Sequence, residues 1–341
     1  MKQKYSILLL FISLLTIACT KEIAQVFEGF KKPSNFPDPV YKFENNQVTK
    51  AGFELGRKLF FDPILSADNT ISCGSCHIPT SAFTQHGHSV SHGINDLLGT
   101  RNSPPIMNLA WSNAFMWDGG IVDLDLQPIA PLTSHVEMGE TMTNVLTKLK
   151  NNANYTSQFK AAFGSEEITN IKMLKALSQY MLMCVSAESK YDSVLRKQQV
   201  FTKEENEGYI IFQNKCNSCH QAPLFTDNRF RNNGLQPSQL NDPGRMLITL
   251  LNTDKYQFKV PSLRNLAYTA PYMHDGRFLN LDAVLAHYSQ GVVSTENLDP
   301  LLVNGNKLGI ELTENEKSKL LLFLNTLNDK KFITNQMLAE Q

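Results

Sequence analysis

The sequence predicts a mainly α-helical fold made of two copies of one module. Three observations carry that expectation. A five-residue pattern, Cys-x-x-Cys-His, stands at residues 73–77 and again at 216–220. Residues 104–124 match 261–281 without a gap, so that Asn108-Leu109-Ala110 answers Asn265-Leu266-Ala267 and Met116-Trp117-Asp118-Gly119 answers Met273-His274-Asp275-Gly276. Apolar residues recur mostly at helical spacing ahead of each pattern, and strand signals are weak throughout.

The pattern has a chemical reading. Two thiols at this spacing add across the two vinyl groups of a haem, and the imidazole directly after the second thiol reaches the iron. A Cys-x-x-Cys pair also serves in half a zinc site or in a thioredoxin-like motif, but neither needs the following His twice. Two covalent c-type haems are therefore expected, on Cys73 and Cys76 with His77 as iron ligand, and on Cys216 and Cys219 with His220.

Composition sets the remaining bounds. The 341 residues suit two domains, and 32 basic against 32 acidic residues leave no net charge, which gives no support to nucleic-acid binding or to a broad basic membrane face. Of six cysteines four belong to the pentads, so no disulfide framework remains; Cys184, in an apolar run, reads as a buried unreactive thiol. Lys2 and Lys4 precede an apolar stretch at 7–17 that is short for a membrane span and ends at Thr16-Ile17-Ala18-Cys19. That box resembles a bacterial lipoprotein cleavage site, with Thr16 where Leu is usual. The expected mature chain is periplasmic and lipid-anchored through Cys19, an ordinary secretory signal being the alternative.

Along the chain, residues 1–19 form the signal, 20–45 a Pro-bearing linker, 46–192 an N-terminal haem domain and 200–335 a C-terminal one. Phe53, Leu55, Gly56, Leu59 and Phe60 predict a helix leading into the first pentad. Thr202 and Glu205 form a capping box for the second lead-in helix, where Gly208 and Phe212 repeat the relation of Gly56 and Phe60. A long helix is expected from 168 to about 195, and a final one from Thr313, with Glu316 completing its box.

With these residues in view, the sequence resembles the bacterial di-haem cytochrome c peroxidases and their MauG-like relatives. The resemblance rests on Leu59-Phe60-Phe61-Asp62, the two pentads, Gly99-Thr100-Arg101-Asn102, Phe115-Met116-Trp117-Asp118-Gly119, Val136-Glu137-Met138-Gly139 and the run from Thr269 through Gly276. It implies two cytochrome c-like domains, the first haem reacting with hydrogen peroxide and the second taking electrons from a small donor such as a cytochrome c or cupredoxin. It further implies Glu137 as the distal acid-base carboxylate, Gln127 as the neighbouring pocket amide, Trp117 as an aromatic relay between the haems, a calcium ion at Asn102, Thr269 and Pro271, and a homodimer.

Two positions depart from the peroxidase pattern. Ser91-His92-Gly93 leads to Ile94 where the first haem's detachable His is usual, so that haem is expected to be five-coordinate; His86, His88 and His92 lie in the same loop as alternative ligands. Tyr288 stands where typical peroxidases carry Met at the second haem, as in the MauG-like branch. Tyr288 is the expected axial iron ligand there, with His287 as ligand, or Tyr288 merely packing on the ring, as the alternatives. A di-haem peroxidase is expected, with a MauG-like oxidase and a plain di-haem electron carrier as rivals.

Overall fold

The structure is a computed structural model that describes residues 27–341; the predicted signal and Cys19 lie outside the described residues. The expectation of a helical chain with few strands is met. Among the described residues, β-structure amounts to two antiparallel ribbons, Phe230–Arg231 with Phe258–Lys259 and Val303–Asn304 with Lys307–Leu308.

Each pentad follows a lead-in helix that crosses a later helix at close range. Lys50–Phe61 opens at Thr49, whose hydroxyl accepts the Gly52 N–H at 3.0 Å, and stops at Asp62 because Pro63 cannot continue it. Its buried face, with Phe53, Leu55, Leu59 and Phe60, packs on Asn170–Leu182. A Cβ on Gly56 would lie 1.9 Å from the Ala176 carbonyl oxygen, so only glycine permits this approach.

The second crossing repeats the device. Lys203–Lys215 carries the predicted Thr202/Glu205 capping box and packs on Glu314–Asn325, which carries the predicted Thr313/Glu316 box. Here Gly208 faces the Lys319 carbonyl oxygen, 2.0 Å from where its Cβ would stand.

Two apolar cores surround these crossings. One gathers Phe53, Phe60, Phe83, Tyr180 and Cys184, the last buried as its sequence context predicts; the other gathers Tyr191, Phe212, Phe225 and Phe323. The first core also holds Phe332 and Leu338 from the far end of the chain, and the Tyr180 hydroxyl donates to the Leu338 carbonyl at 2.6 Å.

The helix expected from 168 to about 195 is instead two helices, Asn170–Leu182 and Lys190–Leu195. The break has a local cause. Asn108, in the left-handed conformation, donates its N–H to the Cys184 carbonyl and its side-chain amide to Ser186 O, and its Oδ1 accepts the Ser186 N–H, holding that segment extended. Ser189 then caps the next helix in a box with Asp192, a start signal that the uninterrupted apolar pattern obscured.

Candidate haem sites

Both pentads fold as tight turns whose histidines are oriented by main-chain carbonyls. The His77 and His220 N–H groups bond back to Cys73 O and Cys216 O, at 2.9 and 3.0 Å. His77 Nδ1 then meets Phe83 O at 2.8 Å, while His220 Nδ1 meets Phe225 O and Pro261 O, each at 3.2 Å. Engaging Nδ1 leaves Nε2 of each ring as the free nitrogen, as an iron ligand requires. Phe83 and Phe225 adopt positive φ, +61° and +57°, a costly state for a bulky residue that recurs where a carbonyl must be aimed.

All four pentad thiols are free and partly buried. Burial pushes those of Cys73 and Cys216 up to about 12. A cavity of about 480 Å³ opens against the first pentad. Its wall includes Cys73, Cys76 and His77, apolar Phe60, Met107 and Leu177, and the polar groups of Glu137 and Gln127. The donor set and this apolar chamber fit a covalently attached haem.

Glu137 stands on the turn that closes the short helix Ile129–Thr133, its N–H bonded to Ser134 O at 3.0 Å. Burial raises its carboxyl above the usual range. Gln127 points its amide at the Met116 sulfur, 3.7 Å away. Ile94 does not line the cavity. Its N–H donates to Glu137 O at 2.8 Å and its side chain packs against Gly139, so this loop braces the Glu137 backbone. His86 and His88 are exposed; His92 sits at the cavity rim with Nδ1 on Asp96 Oδ1 at 2.9 Å.

Trp117 also lines the cavity and connects the halves. Its indole N–H donates to Asn102 O at 2.8 Å, and the Asn102 N–H donates to His274 O at 2.7 Å. His274 stacks on Phe258 with centroids 3.7 Å apart, and burial lowers its ring to about 4, so it is neutral at physiological pH. Asn102 thus meets the turn that carries Thr269 and Pro271, while neither of these two makes a hydrogen bond to it among the described residues. Among the described residues, no group of three or more His, Cys, Asp or Glu side chains could hold a metal ion.

At the second pentad, Tyr288 lies in a π-helical turn, His287–Gly291, that continues the helix Leu281–Ala286; such turns often mark functional positions. Its phenol is raised by burial and lies near Asn233, Cys219 and Cys216. The neighbouring His287 has Nε2 committed to Asn233 O at 3.2 Å.

Sequence reasoning missed the charged bridge between the halves. Arg101 donates to Asp242 from Nε and Nη2, at 2.6 and 2.9 Å, and to Asp118 from Nη1. Arg101 already belonged to a quoted motif, but its partners are 17 and 141 residues away and share no pattern with it.

Comparison with known proteins agrees with this arrangement. The family model described as "Di-haem cytochrome c peroxidase" matches residues 50–200. The chain is 33% identical to the methylamine utilization protein MauG of Methylorubrum extorquens over 314 residues, 91% of this chain and 86% of that protein. It is 32% identical to the cytochrome c551 peroxidase of Nitrosomonas europaea, over 80% of this chain and 79% of the relative. The crystal structure of a MauG-like protein associated with microbial copper homeostasis superposes with a TM-score of 0.81 at 30% identity, covering 91% of this chain and 98% of that one. Pentads, cavity and similarity along nearly the whole chain lead to one conclusion: the chain belongs to the di-haem cytochrome c peroxidase and MauG-like family.

Proposed function

We propose that this chain is a periplasmic di-haem peroxidase that reduces hydrogen peroxide to two molecules of water, with two protons and with two electrons from a small donor protein. The observation that carries the reading is Glu137, a half-buried carboxyl in the same cavity as the pentad imidazole of His77, with Gln127 in the same wall. Bound there, a c-type haem supplies a redox-active iron ligated by His77. Glu137 takes a proton from one peroxide oxygen and returns it to the other, while the Gln127 amide orients the molecule by hydrogen bonding. A carboxyl raised by desolvation suits both halves of that transfer.

The second haem, on Cys216, Cys219 and His220, receives the electrons, and Tyr288 is its second axial ligand. The commitment of His287 to a carbonyl supports Tyr288 over its neighbour. Trp117, between the halves, is the relay. Repetition of backbone detail supports two modules, 46–192 and 200–335, descended from one: Asn108 and Asn265, Met116 and Met273, and Gly119 and Gly276 all share positive φ. Calcium at Asn102, Thr269 and Pro271 rests on neutral oxygen donors, which suit a hard cation. Attachment through Cys19 and a homodimer complete the proposal.

The test is peroxide turnover with a reduced small cytochrome or cupredoxin. Glu137→Gln is expected to lower kcat by about 10²–10⁴-fold while both haems remain attached. Electron paramagnetic resonance of the diferric protein is expected to show one high-spin iron without prior reduction. Full activity in Glu137→Gln, or two low-spin irons, overturns the respective part.

A second reading, a MauG-like oxidase drawing electrons from a protein or small-molecule substrate, is favoured by Tyr288. Rapid peroxide reduction with the donor protein speaks against it. A plain electron carrier would leave the half-buried Glu137 without a task.

A further inference from the structure

Lys259 stands two residues ahead of the second ungapped stretch, in register with Asn102 of the first, so the two halves differ there by a full charge. It belongs to the ribbon strand Phe258–Lys259, and its N–H donates to Trp117 O at 2.7 Å, which brings the second half of the chain against the first. It lines the cavity whose wall also includes His77.

The ammonium group carries three donors. Among the described residues its only hydrogen-bond acceptor is the Ser112 hydroxyl, at 3.3 Å, and no carboxylate lies within ion-pair distance. The acids that line the same cavity are committed elsewhere or stand apart. Asp118 and Asp242 are held by Arg101, and Glu137 is raised by burial with no cation counteracting it. Burial lowers the Lys259 ammonium to about 8, the mark of a cation withdrawn from water without a counter-charge. Retaining a half-buried cation against an apolar wall, without a counter-charge of its own, favours an anion from outside the polypeptide.

A c-type haem brings two such anions. Its propionate carboxylates leave the macrocycle from the edge opposite the vinyl positions, which Cys73 and Cys76 hold. We propose that Lys259 is the counter-cation of a propionate of the first haem, contributed by the second half of the chain, and that it positions that haem and raises its potential. The proposal rests on the reading that the cavity at His77 holds a haem. A nearby positive charge favours the ferrous over the ferric state, because reduction adds an electron to the centre. The link also ties the placement of the first haem to the seating of the second half against Trp117.

The experiment uses the full chain with both haems attached. Lys259→Met removes the charge at similar length, and Lys259→Arg keeps it. Haem content, counted by the pyridine haemochrome, is the control: one haem per chain in the unaltered protein refutes the cavity reading itself, not the role of Lys259. With two haems present, Lys259→Met is expected to move the first haem's midpoint to lower potential and to shift the propionate bending band in resonance Raman spectra. Lys259→Arg is expected to restore both towards the original values. An unchanged midpoint and an unchanged band in Lys259→Met overturn the proposal. So does a change seen only in the binding of added acetate, which would make Lys259 a site for soluble carboxylates.

Discussion

Arg264 has no exposed surface, and the residues around it show how a guanidinium is accommodated there. Its guanidinium donates to both oxygens of Asp192 at 2.8 Å and twice to Pro223 O, while Ser189 and Asn35 supply further donors to the carboxylate. Burial alone would raise the Asp192 carboxyl, but the hydrogen bonds and charge of Arg264 outweigh it and hold the group below the usual range. A carboxyl lowered by folding contributes stability above its unfolded value near 4 and loses it as pH falls through the lower folded value. Asp192→Ala is therefore expected to cost about 3–5 kcal/mol at pH 7, because Arg264 is left buried and unpaired, and to remove part of the acid-side loss measured by urea unfolding between about pH 5 and 2. Equal urea midpoints for the two proteins at pH 7 would exclude this role. None of it was legible in the sequence, since partners 72 residues apart leave no local pattern, whereas the pentads were legible because their chemistry is compressed into five residues.

Helix crossings decide where each pentad stands. The apolar periodicity and the capping boxes of the lead-in helices could be read directly, because both are local rules obeyed by adjacent residues. The reason for Gly56 and Gly208 could not, since it lies in the carbonyls of Ala176 and Lys319 on distant helices. Alanine at either position forces two backbones apart and is expected to cost about 1–3 kcal/mol in chemical denaturation. Gly208→Ala should act mainly on the second core and Gly56→Ala on the first, so near-ultraviolet absorption of each haem can assign the damage. A variant with an unchanged denaturation midpoint would mean that the helices separate without cost. The undivided helix expected over 168 to 195 fails for the opposite reason: Asn108, far away in sequence, supplies better partners for Cys184 and Ser186 than a continued helix would.

At the scale of the molecule, the two halves exchange parts. The second half lends Lys259 to the first cavity and Phe332 and Leu338 to the first core, and Arg101 of the first half reaches Asp242 of the second. Phe332 is buried against Phe83 with ring centroids 5.5 Å apart, and Phe83 is the residue whose carbonyl orients His77. Phe332→Ala is expected to cost about 3–5 kcal/mol and to reduce haem attachment at the first pentad more than at the second, as resolved by mass spectrometry of pentad peptides. Equal loss at both pentads would break the proposed link. The family and the candidate haem-attachment sites were open to sequence reasoning because they rest on repeated local words; the exchange between halves was not, because its members are single residues with no spacing to announce them.

The seating of Phe332 and Leu338 in the first core also imposes an order in time. A chain made from its amino terminus presents the first pentad early, but the wall behind His77 is finished only after residues that follow both pentads have been made. A chain that stops ahead of Phe332 therefore leaves the first core, and not only the second, without part of its wall.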